Sequence, residues 1–136
     1  MMRSLLRRLR CERGDALIEG LLAFGLVLLV VAFAGQAIAY VHARNIAEAA
    51  AQDGASAAAS QGPQAGIARA QTILGAAGGA GAALQATAAE TPSEVTVTVQ
   101  GQPPKLFSLP LVLPGIHVEA SLPLEQYPSD EQAATP

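Results

Sequence analysis

The sequence predicts an α+β fold: a long N-terminal transmembrane helix running into a small exported region with a short second helix and a two- to three-stranded antiparallel sheet. Three observations carry this. Residues 21–35 hold no polar side chain. The Ala-rich stretch behind them meets no proline before Pro63. Beyond residue 94 the apolar residues recur at every second position, the period of a half-buried strand. At 136 residues there is room for one small domain beside the span.

The span comes first. As a helix, residues 20–41 would be about 33 Å long, enough for a hydrocarbon core of about 30 Å. Twelve of these residues are Leu, Ile, Val or Phe, and Gln36 is the one strongly polar interruption. At about −0.3 to −0.6 kcal/mol each, the apolar residues sum to about −5 kcal/mol and outweigh that Gln. Insertion wins.

Charge sets the orientation. The leader, residues 1–14, carries Arg3, Arg7, Arg8, Arg10 and Arg13 against Glu12, a net of +4. Beyond Glu19, three basic residues (Arg44, Arg69, Lys105) face eight acidic ones, a net of −5. Arginines flanking a first apolar segment stay on the cytoplasmic side. The expected location is therefore the cell membrane, single-pass, N-terminus cytoplasmic and C-terminus exported. The acidic remainder, without basic clusters, argues against nucleic acid as a partner. Cys11, the only cysteine, lies in the leader, so the exported part can close no internal disulfide. Its neighbours Arg8, Leu9 and Arg10 are too charged for a lipid-attachment signal, and Arg7-Arg8 alone is leader charge rather than a twin-arginine export signal.

Helix continues past the membrane. Residues 42–61 are Ala-rich, with Arg44, Glu48 and Asp53 spaced along them. Ala is the best helix former, so one helix over about 15–61, about 70 Å long, is expected to end only at Gly62-Pro63. Gly62 is the expected cap and Pro63 the first turn of a second helix over about 63–75. Residues 75–81 hold four glycines and are expected to form a flexible hinge.

The exported region, 62–126, then changes period. Val95, Val97 and Val99 alternate with Thr96, Thr98 and Gln100, and Ile116, Val118, Ala120 and Leu122 alternate with His117, Glu119 and Ser121. Residues 83–89 make a weaker strand, joined to the next by the turn-forming Thr91-Pro92-Ser93. Four prolines from Pro103 to Pro114 leave 106–113 at best an irregular edge. So small a sheet must cover its apolar face with a helix, and the exported half of the first helix is the expected partner. The polar tail, 127–136, is expected to be disordered.

Where the leader meets the span the chain reads Arg13-Gly14-Asp15-Ala16-Leu17-Ile18-Glu19, followed by GLLAFGLVLLV. A basic leader, a glycine, four residues and a glutamate opening a long apolar helix resemble a type IV prepilin. The arrangement looks most like the TadE/TadG-like minor pseudopilins of tight-adherence, Flp-type, pilus systems. The resemblance covers about residues 10–60; the β-containing part is only generally similar. Gly20 follows the glutamate where family members usually carry Phe or Tyr.

The resemblance implies cleavage by a prepilin peptidase after Gly14, with Asp15 as the new N-terminus. It also implies that Glu19 pairs with the α-amine of Asp15 on a neighbouring subunit during assembly. Implied partners are inner-membrane lipid, the prepilin peptidase, and other pilins and pseudopilins, at the cell surface in an assembled pilus serving adhesion, secretion or DNA uptake. Glu19 has a physical case of its own. A carboxylate costs about 2.5–3.5 kcal/mol near a bilayer centre, less near the interface, and groups like that usually face a partner. The plainer reading is that Glu19 marks the cytoplasmic edge of the span and touches headgroup water.

Gly35, Ala39, Ala43, Ala47, Ala51, Ala55 and Ala59 place a small residue at every fourth position. Small residues let helices approach closely, which suits a bundle of neighbouring subunits. Such a row winds slowly around the helix, and alanine's helix propensity accounts for the same residues without any partner.

No catalytic, cofactor or metal site is expected. His42 and His117 stand in no metal-ligand spacing. The Gly-rich 75–81 follows a helix and has no Lys, unlike a phosphate cradle. Neither an enzyme nor a small-molecule substrate is expected. Three readings compete: a pseudopilin cut after Gly14, a secreted or surface binding protein cut at the A-x-A site Ala37-Ile38-Ala39, and an uncleaved membrane anchor. For the second, the apolar run exceeds the 7–15 residues of a usual signal core.

Overall fold

The computed structural model describes residues 2–107 and 112–124, with side chains from Gly14 onward. The chain has α+β architecture and divides into two units, residues 1–38 and 39–136.

The first unit lies within helix α1, Met2–Gln61. The helix starts at Met2 rather than near residue 15, because the leader's Leu and Arg residues are good helix formers and Gly14 keeps a negative φ. The apolar stretch is bare: Leu21 is 73% exposed and Val31 61%. In the most hydrophobic 18-residue window, mean hydropathy 2.6, no residue is buried. A core helix of a soluble protein would be covered by its own fold. This one is long and apolar enough to cross a membrane.

The second unit holds the end of α1, helix α2 (Pro63–Ala76), a 3₁₀ turn (Gly78–Ala80), and strands β1 (Leu84–Glu90), β2 (Glu94–Gly101) and β3 (Ile116–Pro123). Gly62 ends α1 and starts α2. Its φ of 93° lies in the left-handed region that glycine accepts at no steric cost. Its N–H donates to the Ala58 carbonyl at 2.9 Å, and its own carbonyl accepts from Ala65 N–H at 3.1 Å. Pro63, lacking an N–H, sits in the first turn of α2, where none is needed.

The glycine-rich 75–81 is a hydrogen-bonded corner, not a hinge. Gly75 stays in α2, Gly78 takes φ +60°, and Gly81 N–H donates to the Gly78 carbonyl at 3.0 Å. A Cβ on Gly81 would run into the Leu74 carbonyl, so the glycine is there for close approach.

The strands form one antiparallel sheet in the order β1-β2-β3. The β1–β2 turn is closed by Thr91 N–H to Glu94 O at 2.8 Å and Thr91 Oγ1 to Glu94 O at 2.9 Å. Val95, Val97 and Val99 are fully buried, while Thr96, Thr98 and Gln100 face the other way. Register places Ala88, Val97 and Ala120 in one inward row, and Ala86, Val99 and Val118 in the next. The outward rows are Thr87, Thr98 and Glu119, then Gln85, Gln100 and His117.

The helical cover has two parts where one was expected. Both α2 and the end of α1 pack on the sheet. Ala43, Ala47, Ala50, Ala51, Ala55 and Ala58 bury one face of α1 with Ala70 and Leu74 of α2. Alanine on both helices lets them come close, and the tightest place is glycine on glycine. A Cβ on Gly66 would lie 2.6 Å from Ala58 Cβ and 2.7 Å from the Gly54 carbonyl oxygen. One on Gly54 would meet Gly66 O at 3.0 Å and Val97 Cγ1 at 3.1 Å. Arg69 Nη2 to Asp53 Oδ2, 3.1 Å and half exposed, spans the same two helices and contributes at most about 1 kcal/mol.

Within 106–113, the described residues 106, 107, 112 and 113 form no strand, and Val112 is 97% exposed. The remaining four residues of that segment, and the expected tail at 127–136, lie outside the described residues.

Candidate functional site

The site is the start of the apolar stretch in α1. Gly14 is half exposed, and Asp15 and Glu19 are exposed. A four-residue spacing puts Asp15 and Glu19 on the same helix face, one turn apart. Asp15, Ile18, Glu19, Leu22, Ala23 and Leu26 border one shallow strip along that face. Two carboxylates thus open a surface that is otherwise hydrocarbon: Leu17, Ile18, Leu21 and Leu22 are all more than 60% exposed. Like charges one turn apart oppose helix formation by a few tenths of a kcal/mol. The strip lies wholly within the first unit.

The small-residue row divides. Ala43, Ala47, Ala51 and Ala55 are completely buried in the second unit's core, so these four pack on the chain's own α2 and sheet. Ala59 is half-buried against the same core. Gly35 and Ala39 are half-buried and stand outside it. The physical reason is helical drift. A four-residue step overshoots a turn by about 40°, so a straight buried face mixes steps of three and four. That is why Ala50, Gly54 and Ala58 join the buried face. Gly54 and Gly66 escaped the sequence reading. Their signal was present: a glycine inside a helix costs about 1 kcal/mol against alanine, and in so Ala-rich a segment that cost points to close packing.

His42 is exposed, and His117 Nε2 lies 3.0 Å from Glu119 Oε1 on the exposed sheet face. Among the described residues no three or more His, Cys, Asp or Glu side chains gather as a metal site would require.

Compared with known proteins, the chain matches no family model, no curated protein and no solved structure. What it does has to follow from its own residues.

Proposed function

We propose that the chain is a membrane-anchored minor pseudopilin, cut after Gly14 and drawn through its N-terminal helix into a tight-adherence type IV pilus or a related secretion machine. The observation that carries this is Glu19. It is an exposed carboxylate one turn beyond Asp15, at the mouth of a bare apolar stretch and directly behind a basic leader ending in Gly14. Hydrolysis of the Gly14–Asp15 bond adds water across it, leaving a carboxylate on Gly14 and an ammonium on Asp15. The leader's positive charge departs, and a new cation appears at the tip of a helix meant for lipid. Glu19 of a neighbouring subunit neutralises that cation, so the two groups enter the apolar surroundings as a pair. The partners are lipid, a prepilin peptidase and sibling pilins. The role is assembly, not catalysis.

Two experiments bear on this. Produced with a prepilin peptidase, the chain should shorten by its 14-residue leader, and Gly14→Val should stay full length; a shortened Gly14→Val would remove the assigned site. A reporter active only outside the cytoplasm, fused after Pro136, should be active. The five leader arginines predict this through the positive-inside rule. Activity of a cytoplasm-only reporter there would reverse the topology.

One observation favours a second reading. The boundary between the two units falls between Ile38 and Ala39, inside Ala37-Ile38-Ala39. A signal peptidase cutting after Ala39 would release a chain starting at Tyr40 that keeps almost all of the second unit, as a secreted binding protein. The mature N-terminus separates the two.

A further inference from the structure

The glycines of this chain differ in what surrounds them. At Gly54, Gly66, Gly81 and Gly101 an added Cβ would press on neighbouring atoms. At Gly14, Gly20 and Gly25 nothing lies within 4 Å, and all three sit in α1 with helical backbone and negative φ. Packing within the chain therefore asks for no glycine at Gly20, yet glycine there makes the helix about fivefold easier to open than alanine would.

Helix α1 runs unbroken from Met2 through the Gly14–Asp15 bond. A peptide bond in a helix is wound, and its amide groups are engaged. A protease that grips an extended chain reaches it only after local unwinding. When opening is fast, the cleavage rate follows the open fraction.

We propose that Gly20 is a positioning residue for leader removal: it eases unwinding of the turn behind the Gly14–Asp15 bond and caps the helix that remains. This rests on the prepilin reading above. Unwinding four or five residues past the bond moves the helix start to Glu19 or Gly20. If Gly20 itself unwinds, alanine there would hold it helical. If Gly20 becomes the new N-cap, alanine would be a poor replacement, because glycine is the better N-cap. Both effects have the same sign. Gly25 lies ten residues past the scissile glycine's neighbour Asp15, beyond the opened turn, and takes no part.

The test uses the full-length chain in lipid vesicles with a purified prepilin peptidase, reading initial cleavage rates at Gly14–Asp15. Gly20→Ala should be cut about fivefold more slowly than the original chain. Gly20→Ser, close to alanine in size but a better N-cap and weaker helix former, should stay within about twofold of it. Gly25→Ala should match the original. Equal rates for Gly20→Ala and the original chain would overturn the proposal. So would a Gly20→Ser as slow as Gly20→Ala, since side-chain size would then be what matters, or a Gly25→Ala slowed as much as Gly20→Ala. Failure of the original chain to be cut at this bond would overturn the prepilin reading itself, a result distinct from all of these.

Discussion

Glu19→Gln should insert normally and lose its leader normally, yet its cross-linking to other pilus subunits should fall by an order of magnitude or more. The amide keeps the side chain's shape and is no harder to place in lipid than the carboxylate. What it loses is the charge. If Glu19 meets the Asp15 ammonium of a neighbour in apolar surroundings, the variant removes that partner and leaves the ammonium only the side-chain carboxylate of its own residue. Breaking a buried pair by removing one partner costs about 3–5 kcal/mol, roughly 150- to 5,000-fold in an association constant. A carboxylate that merely marks the membrane edge stays wet, and its loss costs almost nothing. Processing and cross-linking must both be read in the same cells. Undiminished cross-linking with normal processing would leave Glu19 a boundary residue.

The second large effect concerns the folded unit. Gly66→Val should destabilise it by about 3 kcal/mol or more, because its Cβ would stand 2.6 Å from Ala58 Cβ and 2.7 Å from the Gly54 carbonyl oxygen. Helix propensity pushes the other way, but replacing glycine by β-branched valine gains α2 only about 0.3–0.5 kcal/mol. Overpacking wins, because the clash is with the backbone of α1 and no rotamer relieves it. Gly75→Ala supplies the opposite sign. It also sits in α2, but nothing lies within 4 Å of its added Cβ, so it should be neutral or stabilise by up to about 1 kcal/mol. Amide exchange at Val95, Val97 and Val99 in the full-length chain in detergent reads both: faster in Gly66→Val, unchanged or slower in Gly75→Ala. Unchanged protection in Gly66→Val would mean the helices do not cross where the glycines place them.

Most of the fold was legible because its signals are local. The bare stretch 21–35, the alternation of Val95, Val97 and Val99, and the Gly62-Pro63 boundary each follow from the chemistry of a few adjacent residues. The readings that missed depended on contacts distant in sequence. Glycines at 75–81 look flexible until Leu74 is seen to lie against Gly81. Ala43, Ala47, Ala51 and Ala55 look like part of an intersubunit seam until they are seen to lie in the core with α2 and β2. In the candidate site, sequence alone puts Asp15 and Glu19 one turn apart. The structure adds that their face is exposed and otherwise apolar.

Exposure also bears on what the helix does. A stretch with this hydropathy and none of it buried has no fold of its own to hide in, so lipid or other helices must cover it. On the proposed reading, membrane insertion provides the first and subunit assembly the second, once the leader is gone.

The central claim is that the chain matures at Gly14, and the mature N-terminus tests it most directly. Protein purified from its native membrane and weighed intact should begin at Asp15, with the Gly14–Asp15 bond cut and the five leader arginines missing. A chain beginning at Tyr40 would make it a secreted protein released by signal peptidase, and one beginning at Met1 an uncleaved anchor; either would contradict the pseudopilin account.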